Sequence, residues 1–296
     1  MKIYDTILTR EPVQKGWSGD EKYYVTTTDG VKYLLRITSQ EHTHRFHLGY
    51  LRMCEAAALK IPMCLPVEFG CCPEGTYALH SWVDGVDAES YIHTLTPEKQ
   101  YAYGMDAGRI LGKLHTLPAP PNITPWAERF NAKIDRKIAM YEACPLKYDN
   151  GQLFLDFLAQ NRHLVSDRPQ TYQHGDYHIG NMMVDREGVL TIIDFDRDDF
   201  GDPWEEFNRI VWCAQASPAF ASGMVDGYFD GFVPMDFWRL LALYISSNTL
   251  SSLPWAVSFG DGEIRTMRNQ AAQVLQWYNN MSDPVPTWYK EGRNYG

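Results

Sequence analysis

Three polar residues in one short stretch of the chain have the types and the spacing that phosphoryl transfer requires. The carboxylate of Asp176 is followed five residues later by the amide of Asn181, and thirteen residues after that by the carboxylate of Asp194. Amide and carboxylate oxygens are ligands that a hard cation such as Mg²⁺ accepts. A further carboxylate beside the metal can take the proton of a hydroxyl that attacks a bound phosphoryl group. The stretch therefore predicts metal-assisted phosphoryl transfer.

The predicted elements around these residues should bring them together. Residues 181–184 and 189–193 form two short apolar runs, and the turn between them includes Gly188, which can adopt a positive φ. Because a hairpin returns its two ends to the same place, Asn181 and Asp194 should meet at its open end, with Asp176 just before the first strand. The alternative is that Asp176 and Asn181 only form turns and Asp194 only ends a strand.

The same stretch resembles the catalytic and metal-binding motifs of the aminoglycoside phosphotransferase family. Its two motifs are His174-Gly175-Asp176 with Asn181, and Ile193-Asp194-Phe195. That family is similar to choline kinases and, more remotely, to protein kinases. The resemblance implies that Asp176 is the catalytic residue and that Asn181 and Asp194 bind Mg²⁺. It also implies ATP or GTP as cosubstrate, and a bracing role for His174.

The fold that this resemblance implies is α+β, with the two lobes of a protein kinase. Residues 1–83 should form a β-rich lobe that binds the nucleotide, and residues 84–296 a mainly helical lobe for catalysis and acceptor binding. In the first lobe, residues 23–28 and 31–38 are β-branched and aromatic runs joined by Asp29-Gly30, which predicts a hairpin.

A short glycine-containing loop before this hairpin resembles the loop that covers the nucleotide in the family. Gly16, Ser18 and Gly19 could bring backbone N–H groups close to phosphate. A plain turn between strands is the alternative.

Arg36 lies in the strand where the resemblance expects a cation for the nucleotide phosphates. Arginine can bind phosphate bidentately. Lys22 is the alternative cation, and a solvent-exposed arginine on an edge strand is the alternative to a phosphate role. The helix predicted at 41–60 should supply an acidic partner, but residues 49–51, where that acid is expected, contain none, so no partner is assigned.

A buried strand is predicted at residues 77–83, where the resemblance places the connection between the lobes. There the backbone near Ser81 and Val83 would hydrogen-bond the adenine. A plain core strand is the alternative. Beyond it, apolar residues with helical spacing predict helices at 100–117, 128–141, 153–164, 204–214, 237–246 and 263–281.

The formal net charge of −10 argues against nucleic acid as a partner and is compatible with a cationic one. Seven acids fall between residues 194 and 206: Asp194, Asp196, Asp198, Asp199, Asp202, Glu205 and Glu206. They predict either a solvated face or a field that attracts a polyamine.

Other features of the sequence bear on location. No apolar run is long enough to span a bilayer, and the N-terminus has no signal-peptide pattern, so no membrane association is expected. The six cysteines form no metal-binding spacing and are expected to be reduced thiols in a cytoplasmic protein. The oligomeric state stays open.

Together, these observations predict a kinase that transfers the γ-phosphoryl group of ATP or GTP to a hydroxyl of a small molecule. The resemblance and the run of acids place aminoglycosides first as acceptors. Macrolides, choline or another amino alcohol, homoserine and sugar adducts are alternatives, and a non-catalytic nucleotide-binding module is the alternative of a different class.

Overall fold

The computed structural model describes residues 2–13 and 19–295, which form ten strands and nine α-helices with short 3₁₀ turns. The strands are β1 Ile7–Pro12, β2 Glu21–Thr27, β3 Lys32–Thr38, β4 Pro66–Cys72, β5 Gly75–Ser81, β6 Gly85–Asp87, β7 Thr171–Gln173, β8 Met182–Asp185, β9 Leu190–Ile192 and β10 Asp199–Gly201. The helices are α1 Thr43–Ala58, α2 Ala88–Ile92, α3 Pro97–Leu114, α4 Trp126–Ala143, α5 Gln152–Asn161, α6 Ile210–Ala216, α7 Pro218–Phe229, α8 Met235–Val257 and α9 Asp261–Trp277.

The chain divides into two compact units. The first contains Met1–Tyr91, His174–Asp176 and Gly180–Asp198, and the second contains Ile92–Gln173, Tyr177–Ile179 and Asp199–Gly296. The predicted α+β class is confirmed, because the N-terminal region is rich in strands and the C-terminal part is mainly helical. The division of function between residues 1–83 and 84–296 stays a prediction.

A five-stranded antiparallel sheet forms the centre of the first unit, in the order β1-β2-β3-β5-β4. The predicted hairpin at β2 and β3 is confirmed, with Gly30 in its turn at a φ of 81°. Side chains alternate between the two faces along β3. Leu35 and Ile37 pack with Val25 and with β5 residues in the core of this unit, whereas Arg36 projects from the opposite face.

A second sheet of the first unit contains the hairpin that the sequence predicts beside the candidate catalytic residues. Strands β8 and β9 pair antiparallel, and β6 lies on the outer side of β8. Their turn uses Gly188 at a φ of 80°, and the Asp185 carboxylate accepts hydrogen bonds from the backbone N–H groups of Glu187 and Val189. Residues 62–64, just beyond α1, pair with Ile192 and so fix the hairpin within this unit.

The second unit consists of helices α3 to α9 and the small β7–β10 ladder. The helices predicted at 100–117, 128–141, 153–164 and 263–281 are confirmed with small differences in their ends. The helix predicted at 237–246 is longer, because α8 continues to Val257 through an internal Pro254. The prediction for 204–214 was wrong at its start, where a 3₁₀ turn precedes α6.

The sequence analysis did not predict helix α7 or strands β1 and β4. A local signal for α7 is present, since the Ser217 side chain accepts a hydrogen bond from the Phe220 N–H and Pro218 occupies the first helical turn.

All six cysteines are free thiols. Among the described residues, no helix combines the length and the apolar composition needed to cross a bilayer.

The crossing of α3 and α7 depends on four glycines whose backbones meet the opposite helix directly. A Cβ on Gly104 or Gly108 would lie 2.1 Å from a carbonyl oxygen of α7. A Cβ on Gly223 or Gly227 would lie 2.1 or 2.2 Å, respectively, from a carbonyl oxygen of α3. Such distances are shorter than any allowed contact, so only glycine permits this separation of the two helix axes.

We expect Gly108→Ala to lower the free energy of unfolding by about 1–3 kcal/mol, because the new methyl group forces the helices apart. Gly112→Ala is the matched control on the same helix. Its Cβ would meet only a Tyr228 ring carbon at 3.8 Å, and the better helix propensity of alanine should raise stability by up to about 1 kcal/mol. Urea denaturation of both variants measures the difference. Equal effects would contradict the close crossing.

Candidate active site

The predicted catalytic and metal-binding residues are joined by backbone and side-chain hydrogen bonds within the first unit. The Asn181 Nδ2 group donates to the Asp176 carbonyl oxygen at 2.9 Å, and the Ile193 N–H donates to the Asn181 carbonyl oxygen at 3.0 Å. Asp194 follows Ile193 directly. The structure therefore brings Asp176, Asn181 and Asp194 to one end of the β8–β9 hairpin, where the sequence predicts them.

His174 braces this arrangement from a fully buried position. Its Nδ1 accepts a hydrogen bond from the Asp176 N–H at 3.3 Å, and its Nε2 lies 3.0 Å from the Ile193 carbonyl oxygen. Because Nδ1 accepts and a carbonyl can only accept, the proton must be on Nε2. The ring is thus a neutral cross-link between the loop that contains Asp176 and the strand that leads to Asp194. This geometry matches the bracing role expected for it.

Backbone conformation holds two positions of the site in unusual geometry. Gly175 has a φ of 83°, and a Cβ there would lie 1.8 Å from the Arg197 carbonyl oxygen, so no other residue fits. Asp194 has a φ of 66°, in the left-handed region that aspartate and asparagine tolerate better than most residues. Sparsely populated backbone conformations are concentrated at functional sites, where the surrounding structure maintains them.

The orientation of Asn181 and Asp194 suits a magnesium ion. Since the Asn181 NH₂ group is directed at the Asp176 carbonyl, its amide oxygen faces away and can act as a ligand. The Asp194 carboxylate is partly accessible. Within residues 2–13 and 19–295, no three histidine, cysteine or acidic side chains converge as a closed metal cage. Mg²⁺ typically takes few protein ligands and completes its shell with water and phosphate oxygens, so two oxygen ligands fit this ion.

Arg197 is a site residue that the sequence analysis did not assign. Its guanidinium lies 3.7 Å from the Asp176 carboxylate, and almost half of the Arg197 side chain is exposed. Its position three residues after Asp194, as the one base among seven acids, is the only local signal for it. The arginine places a positive charge beside the predicted catalytic carboxylate.

Lys22 and Arg36 form a pair of cations beside the metal-ligand candidates. They are directly opposite each other in the β2–β3 register. Arg36 pairs with Asp20 and Asp196, whereas Lys22 lies 3.5 Å from Asp194 and 3.3 Å from Asp196. The alternative of a solvent-exposed Arg36 is wrong, because only 8% of its side chain is exposed.

The acidic partner of Arg36 does not come from α1, where the sequence analysis looked for it. Helix α1 instead directs Arg52 to the Asp198 carboxylate at 2.8 Å. Gly49 leaves room for this approach, since a Cβ there would lie 3.3 Å from Asp198 Oδ1. The helix is thus anchored to the segment after β9 by an ion pair in which the arginine is on the helix.

The two cations also affect the titration of their surroundings. Burial lowers the pKa of Lys22; the Asp194 carboxylate opposes this shift and the Arg36 guanidinium adds to it. Burial, together with Arg36 and Lys22, lowers the pKa of His80 to about 3. His80 is therefore neutral at physiological pH and adds no charge to the site.

The other predicted nucleotide contacts remain predictions. Gly16 and Ser18 lie outside the described residues. Gly19 is exposed, and no atom of the described residues would lie within 4 Å of a Cβ placed on it. The Ser81 N–H donates to the Leu65 carbonyl at 2.8 Å, and the Ser81 hydroxyl accepts from the Leu65 N–H, so this amide is already engaged at the sheet edge. Val83 follows in an irregular, half-buried segment.

The seven acids between residues 194 and 206 do not form a solvated face, which is one of the two alternatives that the sequence predicts. Six of them have a cationic partner; the pairs not yet described are Asp199 with Arg129, Asp202 with Arg168 and Glu205 with Lys133, while buried Glu206 lies 3.8 Å from the His115 imidazole. Only Asp199, with 61% of its side chain exposed, is largely solvated. Although burial alone would raise the pKa of Glu205, Lys133 and Lys137 lower it. The run of acids therefore gives no support for a polyamine-attracting rim.

Asp202 is the most heavily bonded of these acids. Its carboxylate is fully buried and accepts two hydrogen bonds from Arg168, at 2.7 and 2.9 Å, one from the Tyr244 hydroxyl and one from the Trp204 N–H. The Arg168 guanidinium also stacks over the Trp204 ring at 3.8 Å. These contacts join the start of the segment that follows β10 to helix α8 of the same unit.

The family model described as the phosphotransferase enzyme family matches residues 9–238 of the chain. The chain belongs to the phosphotransferase enzyme family. The match includes the five-stranded sheet from residue 9 onward, the β8–β9 hairpin and the helices as far as the start of α8. The family that the sequence motifs indicate is thereby confirmed. A comparison with curated proteins gave no match.

Solved structures confirm the protein-kinase-like fold of this phosphotransferase. A thermostable mutant of aminoglycoside phosphotransferase APH(4)-Ia matches with a TM-score of 0.65 and 16% identity, over 92% of this chain and 96% of its own. A choline/ethanolamine kinase family protein from Mesorhizobium loti matches with a TM-score of 0.65 and 14% identity, over 94% of this chain and 91% of its own. An aminoglycoside 2'-phosphotransferase-IIIa mutant matches with a TM-score of 0.66 and 13% identity, over 94% of each chain. At these identities the likeness concerns the fold alone.

We expect Asp202→Ala to lower the free energy of unfolding by about 3–5 kcal/mol, because it leaves the Arg168 charge without its buried partner. Asp199→Ala is the control from the same run of acids. Its exposed pair with Arg129 should contribute no more than about 1 kcal/mol. Thermal and urea unfolding of both variants provide the measurement, and a mild effect at Asp202 would contradict its structural role.

Proposed function

We propose that this phosphotransferase transfers the γ-phosphoryl group of ATP or GTP to a hydroxyl group of a small molecule, with Mg²⁺. The observation that carries the proposal is the hydrogen-bonded link from the Asp176 loop through Asn181 to the strand before Asp194. It joins a carboxylate for the acceptor and two oxygen ligands for the metal in one rigid hairpin. Such positioning is the main contribution of a protein to phosphoryl transfer.

In the proposed mechanism, Asp176 orients the acceptor hydroxyl and takes its proton as the new oxygen–phosphorus bond forms and the bond to the nucleoside diphosphate breaks. The backbone bond to neutral His174 fixes the loop that directs this carboxylate. Arg197, 3.7 Å from Asp176, adds positive charge where negative charge develops on the transferred group. Asn181 and Asp194 would hold Mg²⁺, which would neutralise phosphate charge when bound.

Several of the structural neighbours support a nucleotide and a small-molecule acceptor. Complexes of APH(4)-Ia variants contain ADP or AMP-PNP with hygromycin B, and a spectinomycin phosphotransferase contains ADP and spectinomycin. We therefore place aminoglycosides first among acceptors. Macrolides, choline or another amino alcohol, homoserine and sugar adducts are the alternatives. Because the acids of residues 194–206 are paired or buried, this order depends on the family and not on a polyamine-binding surface.

The test of this function is phosphoryl transfer by the purified protein with Mg²⁺-ATP and Mg²⁺-GTP. The acceptor panel should contain hygromycin B, spectinomycin, a macrolide, choline, ethanolamine and homoserine, with product identified by mass as the acceptor plus one phosphoryl group. Transfer to any of them supports the proposal. If the protein binds nucleotide tightly but neither transfers phosphate to an acceptor nor hydrolyses the nucleotide, it is a non-catalytic nucleotide-binding module instead.

We expect Asp176→Asn to reduce kcat by about 10²–10⁴-fold, because the amide cannot accept the hydroxyl proton. Nucleotide affinity should be nearly unchanged, since Asp176 is assigned to the acceptor. Glu187→Gln, in the exposed turn of the same hairpin, removes an equal charge and should retain activity. Steady-state kinetics and nucleotide titration test both variants. If Asp176→Asn kept most of its kcat, the catalytic assignment would be wrong.

We expect Asp194→Ala to abolish the Mg²⁺ dependence of nucleotide binding and Asn181→Ala to weaken it less, because a carboxylate neutralises more of the metal charge than an amide does. Nucleotide affinity measured across a Mg²⁺ titration ranks the two variants. A wild-type Mg²⁺ response in Asp194→Ala is the result that contradicts the metal role.

A further inference from the structure

The Lys22–Arg36 pair raises the question of which cation serves the nucleotide phosphates. The two residues are opposite each other on β2 and β3, so their side chains project from the same face of the sheet. Like charges directly opposite on neighbouring strands repel, yet about nine-tenths of each side chain is buried. Three carboxylates compensate for the two cations: Asp20, Asp194 and Asp196.

Arg36 is held in place by groups on three sides. Its guanidinium hydrogen-bonds Asp20, pairs with Asp196 and lies over the Phe46 ring at 5.5 Å. Asp20 precedes β2, Phe46 belongs to α1, and Asp196 follows the hairpin. Both terminal nitrogens of Arg36 face these carboxylates, which are 18% and 11% exposed, while its Nε is buried with no hydrogen-bond partner among the described residues. Turning the terminal nitrogens to phosphate would leave two largely buried carboxylates without this partner, which is costly. The geometry of Arg36 is that of a structural brace.

Lys22 has a different environment. Its ammonium lies 3.3 Å from Asp196 and 3.5 Å from Asp194, both longer than the charge-assisted hydrogen bonds of about 2.7–2.9 Å that ammonium groups form with carboxylates. It is the cation that contacts the metal-ligand candidate Asp194. Phosphate oxygens bound to a metal on Asp194 would therefore come within reach of the lysine. Asp196 would keep Arg36 as its partner after the lysine turned to phosphate.

We propose that Lys22 on β2, and not Arg36 on β3, is the residue that binds the nucleotide phosphates, with Arg36 fixing Asp20 and Asp196 around it. This inference rests on the proposed function, since it assumes a magnesium nucleotide at Asp194. It differs from the assignment that the sequence suggested, in which the arginine on β3 contacts phosphate and Lys22 is only the alternative.

The test compares the affinities of Mg²⁺-ADP and adenosine by calorimetry, because only ADP has phosphates. We expect Lys22→Met to reduce ADP affinity by at least about tenfold, with adenosine affinity unchanged as the sign that the site is still folded. Arg36→Lys should keep ADP affinity and lower Tm, since a lysine cannot bridge Asp20 and Asp196 in the same way. Lys32→Met is the matched control. Lys32 lies near the turn of the β2–β3 hairpin, where its side chain is 37% exposed and pairs with Asp84.

The outcomes separate this inference from the function on which it rests. Loss of ADP affinity in Lys22→Met alone supports the inference, whichever acceptor the enzyme uses. Wild-type ADP affinity in Lys22→Met, together with a loss in Arg36→Lys, overturns it and leaves the proposed function intact. A wild-type protein that binds ADP no better than adenosine in the presence of Mg²⁺ overturns both.

Discussion

Buried charges must be paired with charges of opposite sign, and this requirement organises the candidate active site. Lys22 and Arg36 are adjacent cations on a largely buried face of the sheet, which is stable only because acids surround them. Two of those acids, Asp194 and Asp196, belong to the segment directly after the β8–β9 hairpin. The same ion pairs therefore hold the hairpin against the sheet and set the field in which a metal nucleotide would bind. Sheet and hairpin are far apart in sequence, and charge pairing acts together with the backbone bonds between residues 62–64 and Ile192 to fix the hairpin within this unit.

The pairing requirement also explains why a run of acids is not an acidic surface. In extended and turn conformations, successive side chains point in different directions, so neighbouring acids meet different partners. Asp198 is directed to Arg52 of α1, whereas Asp202 is directed to Arg168 and Tyr244 in the second unit. The segment from 194 to 206 thus supplies counter-charges inward for both units. Composition alone gives the sign of this charge but does not show which residues these acids pair with.

Local backbone requirements fix the remaining geometry of the site. Gly175 admits the Arg197 carbonyl, the neutral His174 ring joins two chain segments, and Asp194 adopts a left-handed conformation. Each constraint acts on a residue next to a predicted functional one. The result is that the Asp176 loop and the strand that leads to Asp194 have little freedom relative to each other, which suits the proposed reaction because that reaction depends on positioning.

The sequence by itself determined the features that short-range chemistry controls. The turns at Gly30 and Gly188 specified two hairpins, strand alternation placed Arg36 opposite the core residues, and the order of Asp176, Asn181 and Asp194 indicated the family. Only the tertiary structure decided which acids pair with Arg36, that Arg197 lies beside Asp176, and that the acids after Asp194 other than Asp199 are largely buried. These contacts join residues far apart in the chain, or turn neighbours in different directions. Their strength depends on distance and burial, which exist only once the chain has folded.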